Sequence, residues 1–467
     1  MANILLVSTP YTINYLNSKI PSVHLGLAYL SGFLKYFSHK VKIIDANTQS
    51  NDYDKLCDTA FNFDIIGFSI YSTNLISTKQ AIKDLRSNGY NGHITMGGHL
   101  VSLYPQYLLE ILGADSIVIG EGEITLNDLI YSIKNKIPID KVKGLAIKNN
   151  NHLQFTPPRE LIKDLNFNFF PDRSYYEKYL KKYKYTSISS SRGCNGCCSF
   201  CSISQFYGQS SGPKWRERSV DNVLEEIEHL YLTYKINDFM FVDDNFIPNK
   251  ASLARAFGIA RGIHDISEEI IFGMEFRPDN IYDDFIPKLS KNSLRYIYIG
   301  LESIVPRQQK LYRKKINPNV VKQLIEQSNF SNVYPTVFSI FIDPWVTPFE
   351  LKQNLDFVSE VGPEYFHDIT SYLRPIPGTP LYDYIKEVGM LDTDHPIVSG
   401  SRYYINTKFV HNSIIDTLSE WLTIRDDLED KFSRIRKKYN REQTLAQFRI
   451  LKNTIFEKCY ECLLKRL

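Results

Sequence analysis

The chain has 467 residues, too many for one ordinary domain, which indicates two or three. Hydrophobic residues make up 43% and charged residues 23%, proportions that are typical of folded globular proteins and exclude wholesale disorder. A formal net charge of +3 is small for this length, so we expect no nucleic-acid partner. The sequence shows neither a secretory signal nor a membrane span, which needs ~18 apolar residues. Seven cysteines, four of them between positions 194 and 201, favour a reducing cytoplasm over a disulfide framework.

Residues 1–140 predict an α/β domain, because short apolar runs alternate with amphipathic stretches. Strands of this buried type form a parallel sheet with helices on both faces, and ligands bind at the carboxyl ends of its strands. Small residues at those ends let a bulky ligand approach the backbone, although glycine is also common in ordinary turns. The predicted strands are Ile4–Val7, Val41–Asp45, Ile65–Ser69, Ile94–Gly98 and Ser116–Gly120, and the small residues are Ser69, Gly97, Gly98, Gly120 and Gly122.

The rest of the chain divides into three predicted parts. Residues 141–185 read as a connector with a hairpin that turns at Asn149–Asn151. Residues 186–400 contain six βα units, which predict a partial (β/α)6 TIM-type barrel with its site at the carboxyl ends of the strands. Residues 401–467 are predicted to be a charged helical region. The barrel strands are predicted at Thr186–Ser190, Asp238–Val242, Ile270–Phe276, Tyr296–Gly300, Pro335–Ile342 and Phe366–Tyr372.

A cysteine segment directly after the first barrel strand carries the chemistry. Cys194, Cys198 and Cys201 have the spacing Cys-x-x-x-Cys-x-x-Cys, and three thiolates can hold one 4Fe-4S cluster while leaving one iron open to a small molecule. Cys197 permits a second interpretation, a four-thiolate zinc site. Structural zinc sites usually join two separated cysteine pairs, so the cluster is favoured. The distant pair Cys459 and Cys462 is interpreted as helix packing.

These motifs resemble the radical S-adenosylmethionine (radical SAM) superfamily, and more specifically its cobalamin-binding branch, whose N-terminal domain is flavodoxin-like. The resemblance covers about residues 1–400 and depends on the shared order of its motifs. They are Leu25–Leu30, Gly97–His99, Gly120–Glu123, the cysteines with Phe200, Phe241–Phe246, Gly300–Ser303 and Pro375–Pro380.

The resemblance implies that S-adenosylmethionine binds the open iron, is cleaved by one electron and yields a 5′-deoxyadenosyl radical that abstracts a hydrogen from the substrate. It places Asp243, Asp244 and Asn245 at the methionine end of S-adenosylmethionine. Arg277 would clamp a carboxylate in two-point fashion, and Glu302 would accept hydrogen bonds from ribose hydroxyls. Capping or loop-bound polar roles are the alternatives for these five residues.

The resemblance also implies cobalamin, with Ser69 and the four glycines named above making room for it. The Asp-x-His-x-x-Gly motif, whose histidine coordinates cobalt in one type of cobalamin domain, does not occur. His24 and His99 are better explained as loop or packing residues. The chain also departs from its relatives after the fifth barrel strand, where Asp343-Pro344-Trp345 replaces a Gly-x-Pro turn.

The family implies an enzyme, most simply a methyltransferase that acts on an unactivated carbon of a specialised-metabolism substrate. One alternative keeps both cofactors but performs cyclisation or rearrangement without methyl transfer. A methylthiotransferase-like enzyme is disfavoured because only Cys57 precedes residue 194, and a non-catalytic iron–sulfur or zinc module is disfavoured by the retained S-adenosylmethionine motifs. The expected partners are a small-molecule, lipid or peptide substrate and a reductant such as flavodoxin or ferredoxin.

Overall fold

The fold is seen in a computed structural model that describes residues 1–11, 22–149, 152–280, 284–391, 420, 423 and 441–465. Within these residues there are two compact units. The first draws on Met1–Asn195 and Cys201–Asp244, and the second on Gly196–Phe200 and the residues from Asn245 onward. No helix in the described ranges is long and apolar enough to cross a bilayer.

The described residues of the first unit form eleven strands and ten α-helices. Its strands are β1 (Asn3–Ser8), β2 (Lys40–Asp45), β3 (Ile65–Ser69), β4 (His93–Gly97), β5 (Ser116–Val118), β6 (Leu145–Asn149), β7 (His152–Phe155), β8 (Tyr185–Ile188), β9 (Ser191–Arg192), β10 (Arg216–Glu217) and β11 (Asp238–Phe241). Its helices are α1 (Leu25–Tyr36), α2 (Ser50–Tyr53), α3 (Leu56–Ala60), α4 (Leu75–Ser87), α5 (His99–Leu103), α6 (Pro105–Leu112), α7 (Gly122–Lys134), α8 (Glu177–Tyr183), α9 (Ser202–Gly208) and α10 (Val220–Tyr234).

Seven of these strands form one sheet in the order β2-β1-β3-β4-β5-β6-β7. The first five strands are parallel, as predicted, and their order places the topological switch point between β1 and β3, where flavodoxin-like sheets bind ligands. The hairpin β6–β7 differs from the prediction. It is no part of a separate connector, because β6 pairs antiparallel with β5 and extends the sheet.

Alternation along β1 explains why the sheet is covered on both faces. Leu5 and Val7 belong to one buried cluster, and Ile4 and Leu6 belong to another on the opposite face. All four side chains are at most 1% exposed. Burial of such a side chain contributes about 1.5–3 kcal/mol, so the continuous apolar run stabilises the strand from both sides.

Five of the six predicted barrel strands form. In the first unit β8 pairs in parallel with β11, and in the second unit β12, β13 and β14 form a parallel set. The second unit contains β12 (Ile271–Phe276), β13 (Leu294–Glu302) and β14 (Tyr334–Ser339), with helices α11 (Ser252–Ile266), α12 (Phe285–Ser290), α13 (Pro306–Tyr312), α14 (Pro318–Phe330), α15 (Pro348–Val361), α16 (Pro380–Glu387) and α17 (Arg441–Leu464).

The sixth predicted strand, Phe366–Tyr372, is wrong as a continuous strand. Only two isolated parallel bridges form there, Val337 with Phe366 and Ile342 with Tyr372. Between the bridges the Asp368 carboxylate accepts hydrogen bonds from the backbone N–H (2.8 Å) and the hydroxyl (2.6 Å) of Thr370. A local side-chain turn of this kind competes with ladder pairing, which explains the interruption.

The carboxy-terminal prediction is described only in part. Of the helical region predicted over residues 401–467, the structure describes residues 420, 423 and 441–465, and the rest of the region lies outside the described ranges. Cys459 and Cys462 are both buried on α17, as expected for packing residues.

Candidate functional site

The predicted cluster cysteines lie between β9 and α9. Cys198 is buried, Cys194 and Cys201 are half-buried, and all three carry thiols rather than disulfides. Among the residues that the structure describes, no three ligand-type side chains converge on a position for a single metal ion. A 4Fe-4S cluster does not need such a point, because each thiolate binds a different iron. The donor set therefore fits three irons of a 4Fe-4S cluster by its chemistry and spacing.

Arg277 lies one residue beyond β12 and contacts the central cysteine. Its Nη1 donates a hydrogen bond to Cys198 Sγ at 3.0 Å. Its Nε and Nη2 donate to the two carboxylate oxygens of Asp279 at 3.1 and 2.7 Å. The guanidinium thus forms a two-point pair with a carboxylate of the chain itself. It also brings a positive charge next to the Cys198 sulfur, which must bind iron as a thiolate.

Asp243 and Asp244 hold the backbone that leads into the cysteines. Asp243 is 1% exposed and accepts hydrogen bonds from the backbone N–H groups and hydroxyls of both Ser190 and Ser191. Asp244 accepts a hydrogen bond from Gly193 N at 2.9 Å, and burial raises its pKa to about 6. The structure therefore gives both aspartates a positioning role, and their contact with S-adenosylmethionine stays a prediction.

Asn245 and Glu302 lie in the second unit. Asn245 is buried and its Oδ1 accepts a hydrogen bond from Arg277 N at 3.4 Å. Glu302, the last residue of β13, has a φ of 66° and accepts a hydrogen bond at 2.7 Å from the buried Lys314 Nζ. A positive φ at a non-glycine residue is strained and is common at functional sites. A Cβ at Gly300 would lie 2.6 Å from that Nζ, so a larger residue there would force the end of the Lys314 side chain to shift.

Sequence reasoning missed the partners of these residues. Lys314 and Asp279 belong to no motif, and the sequence offers no signal that they pair with Glu302 and Arg277.

The structure shows what Asp343 does where the family pattern has a Gly-x-Pro turn. Its carboxylate is fully buried and accepts hydrogen bonds from both Arg307 Nη atoms, at 3.2 and 3.0 Å.

The five small residues predicted to face cobalamin lie at or just beyond the carboxyl ends of β3, β4 and β5, but their surroundings differ. A Cβ at Gly97 would meet no heavy atom of the described chain within 4 Å, so this position has open space. Gly98 and Gly120 have φ values of 115° and 79°, which favour glycine for backbone reasons. A Cβ at Gly122 would lie 3.0 Å from Leu30, and Ser69 O accepts a hydrogen bond from Asn74 Nδ2 at 2.9 Å.

His24 and His99 behave as predicted, since both are packed into the first unit. The His99 ring stacks on Phe206 with a centroid distance of 4.0 Å, and burial lowers its pKa to about 4. Burial also lowers the pKa of His24 to about 4, and its Nδ1 accepts a hydrogen bond from Leu27 N at 3.2 Å. The neutral ring must then carry its proton on Nε2.

The Nε2–H group of His24 indicates whether the residues near the switch point fit a cofactor. It is buried at the start of α1 and has no hydrogen-bond acceptor among the described residues. An unsatisfied buried donor costs about 1–3 kcal/mol, so an acceptor on a bound ligand would remove that cost. A donor at this place fits a ligand with polar groups, such as the cobalamin tail, and it does not fit a cobalt ligand in this tautomer.

Comparisons with known proteins agree with this geometry. A B12 binding domain model matches residues 12–130, and a Radical SAM superfamily model matches residues 188–358. An uncharacterized methyltransferase of Pyrococcus horikoshii is 27% identical over 368 residues, which cover 77% of this chain and 78% of that protein. The anaerobic magnesium-protoporphyrin IX monomethyl ester cyclase of Synechocystis is 26% identical over 415 residues, which cover 84% and 79%.

A solved structure supports the same fold. The cobalamin-dependent S-adenosylmethionine radical enzyme OxsB, with aqua-cobalamin bound, matches with a TM-score of 0.81 and 19% identity, and the match covers 99% of this chain and 72% of that one. A radical SAM domain uses a 4Fe-4S cluster with S-adenosylmethionine, and a B12-binding domain takes cobalamin. Since both domains are matched in the order in which their motifs and strands occur, the chain belongs to the cobalamin-binding branch of the radical SAM superfamily.

Proposed function

We propose that this protein is a cobalamin-dependent radical SAM methyltransferase that acts on an unactivated carbon of a specialised-metabolism substrate. One observation carries the proposal: a single chain joins a B12-binding domain to a three-cysteine cluster segment whose central sulfur accepts a hydrogen bond from Arg277. The uncharacterized methyltransferase of Pyrococcus horikoshii supports it, because the similarity covers 77% of this chain.

When bound, the reduced cluster supplies the electron that cleaves S-adenosylmethionine to a carbon radical, and cobalamin carries the methyl group. The chain supplies ligands and positioning. Cys194, Cys198 and Cys201 would bind three irons, and Arg277 would hold the Cys198 thiolate in place and partly neutralise it. Asp243 and Asp244 would fix the backbone that precedes Cys194 and so help to position its thiolate.

The remaining predicted site residues are assigned by the same reasoning. Asn245 and Glu302 would orient S-adenosylmethionine. Glu302 would do so with its carboxylate, which Lys314 holds by a hydrogen bond and which projects from a backbone with a positive φ. Gly97 would admit the corrin ring, because the space beside it is open. His24 would donate from Nε2 to a polar group of the cobalamin tail. Ser69, Gly98, Gly120 and Gly122 would shape the loops around these two contacts.

The alternative is a radical cyclisation or rearrangement that uses both cofactors without methyl transfer. The similarity to the Synechocystis cyclase favours it, since that match covers 84% of the chain. Both functions need a one-electron reductant, for which flavodoxin or ferredoxin is the expected class, and a substrate that is a small molecule, a lipid or a peptide.

The products separate the two functions. Protein reconstituted with iron, sulfide and cobalamin is incubated anaerobically with S-adenosylmethionine, a reductant and candidate substrates, and the nucleoside products are measured by mass spectrometry. The methyltransferase predicts S-adenosylhomocysteine and 5′-deoxyadenosine together, with the former absent from protein prepared without cobalamin. Release of 5′-deoxyadenosine alone from cobalamin-loaded protein, with a converted substrate, would establish the alternative.

A further inference from the structure

A buried network of four charged side chains lies within the first unit. We call it the Glu121 network, and it consists of Glu121, Glu123, Arg192 and Arg216. Arg192 Nη1 donates to Glu121 Oε1 at 3.0 Å, and Arg192 Nη2 donates to Glu123 Oε1 at 2.6 Å. Arg216 Nη1 donates to both Glu121 oxygens, at 3.0 and 2.8 Å. Two positive and two negative charges therefore balance.

The network is largely shielded from water. The exposed side-chain fractions are 6% for Glu121, 5% for Glu123, 15% for Arg192 and 3% for Arg216. Burial acts to raise the pKa of Glu121, but Arg192 and Arg216 outweigh it and the pKa is lowered. Desolvation makes such buried pairs a poor source of stability, which directs attention to the geometry that they impose.

The geometry joins two motifs that are far apart in the chain. Glu121 and Glu123 follow β5 in the B12-binding domain, and they stand 71 and 69 residues from Arg192. Arg192 and Arg216 are paired residues of the short β9–β10 ladder. Only Gly193 separates Arg192 from Cys194, so the two glutamates hold the residue that leads directly into the first cysteine.

Backbone contacts on the same segment leave it little freedom. Gly193 has a φ of 89°, and a Cβ there would lie 1.8 Å from Lys214 O, close to the β10 strand. Gly193 N is also bound by Asp244. The residues that lead into the cysteine segment are therefore held in two ways, by backbone contacts at Gly193 and by the contacts of the Arg192 side chain with the loop after β5.

We propose that Glu121 and Glu123 are positioning residues of the iron–sulfur cluster: they orient Arg192 and Arg216, and thereby Cys194. The inference rests on the proposed function in one respect, that the cysteines hold a cluster. It assigns the charged residues of this loop to the cluster, whereas the small residues Gly120 and Gly122 were expected to serve cobalamin.

The test measures the cluster itself in reconstituted full-length protein. Glu121→Gln, Glu123→Gln and Arg192→Lys are compared with wild type by iron and cobalt content, circular dichroism, the midpoint potential of the cluster, and its electron paramagnetic resonance spectrum with and without S-adenosylmethionine. Asp128→Asn is the matched control, because this carboxylate pairs with Arg159 in the same domain and makes no hydrogen bond or ion pair with the described residues of the β9–β10 ladder.

We expect Glu121→Gln to keep its iron and to shift the midpoint potential to more positive values, since one negative charge is removed close to the cluster. Arg192→Lys keeps the charge but binds one carboxylate instead of two, so a change in its resonance spectrum reports positioning rather than charge. Glu123→Gln removes a single contact and should show the smaller effect. Asp128→Asn should match wild type in every measurement.

Three results would overturn the inference. The first is an unchanged spectrum and potential in folded, iron-loaded Arg192→Lys and Glu121→Gln. The second is loss of cobalt from Glu121→Gln with the cluster unaffected, which would assign the loop to cobalamin. The third applies if Glu121→Gln does not fold: wild-type cluster properties in the milder Glu123→Gln and in Arg192→Lys would then reject it. Wild-type protein that binds no iron would instead reject the proposed function.

Discussion

At the scale of single residues, the neighbouring cysteines Cys197 and Cys198 differ in burial and contacts. Cys198 is buried and accepts a hydrogen bond from Arg277, whereas Cys197 is exposed. A zinc site would need the thiolates of both, and a three-cysteine cluster needs only Cys198. The two residues therefore form a matched pair for testing which metal the segment holds.

We expect Cys198→Ala to abolish cluster formation and the cleavage of S-adenosylmethionine, because a cluster held by two thiolates is not retained. Cys197→Ala should keep about four irons per chain and full cleavage. Iron content after desalting and the release of 5′-deoxyadenosine measure both properties. Full cleavage by Cys198→Ala would disprove the ligand assignment, and loss of iron from Cys197→Ala would revive a four-thiolate site.

Gly193 is a second position at which one residue decides the local structure. We expect Gly193→Ala to lower both the thermal midpoint and the iron content, because the new methyl group would overlap Lys214 O and the φ of 89° is strained for alanine. Gly208→Ala is the control, since no heavy atom of the described residues lies within 4 Å of its Cβ position. Circular dichroism melts and iron analysis compare them. Equal iron and stability in the two variants would contradict this account.

At the scale of elements, a fully buried triad joins three segments of the first unit. Glu226 of α10 pairs with Arg173 at 2.8 Å and with Arg218 at 2.6 Å, and all three side chains are at most 5% exposed. Arg218 Nη1 also donates to the Tyr29 hydroxyl of α1 at 3.3 Å. One carboxylate thus ties the connector, α10 and the first helix together.

We expect Glu226→Gln to destabilise the fold by about 3 kcal/mol, because it removes the charged carboxylate that two buried guanidinium groups share. Burial would raise the pKa of Glu226, but the two arginines outweigh it and the pKa is lowered. A lowered folded-state pKa contributes stability above the unfolded value of about 4.3, and that stability is lost as the pH falls through the folded value.

The wild type should therefore lose more stability than Glu226→Gln when the pH is lowered from about 6 to below about 4. Thermal midpoints followed by circular dichroism across this range measure the difference. Glu177→Gln, which removes an exposed pair with Lys181 on α8, should change little at any pH. Parallel pH profiles for wild type and Glu226→Gln would show that the triad is not the source of the pH-dependent stability.

The same scale shows what the sequence can and cannot predict. The five parallel strands of the first sheet were predictable because each contains a short apolar run with buried residues. The pairing of β6 with β5 was not, since a hairpin reads the same whether or not it joins a sheet. The prediction of a continuous sixth barrel strand was wrong because Asp368 and Thr370 form a local turn. The cysteine spacing identified the cluster segment, but the partners of Glu121 lie 71 and 95 residues away and no periodicity indicates them.

At the scale of the whole molecule, the two cofactors are assigned to different stretches of chain. The cluster ligands lie between residues 194 and 201, and the proposed cobalamin contacts lie in the loops after β1, β3, β4 and β5. Loss of one cofactor by a local substitution should then leave the other bound. The two sites are still connected through the Glu121 network. Substitutions of its glutamates, in the loop after β5, are expected to change the properties of the cluster without removing it.

Gly97→Leu is the substitution that tests this division. A Cβ at Gly97 meets no heavy atom of the described residues within 4 Å, so a leucine there would extend into the space that we assign to the corrin ring. We expect cobalamin affinity to fall about tenfold or more, a cost of about 1.4 kcal/mol, with about four irons retained. Cys198→Ala should show the reverse pattern, with cobalt retained and iron lost. Metal analysis of both variants after desalting gives the result directly: retained cobalt in Gly97→Leu would show that cobalamin binds elsewhere, and loss of both metals from either variant would show that the two sites form together.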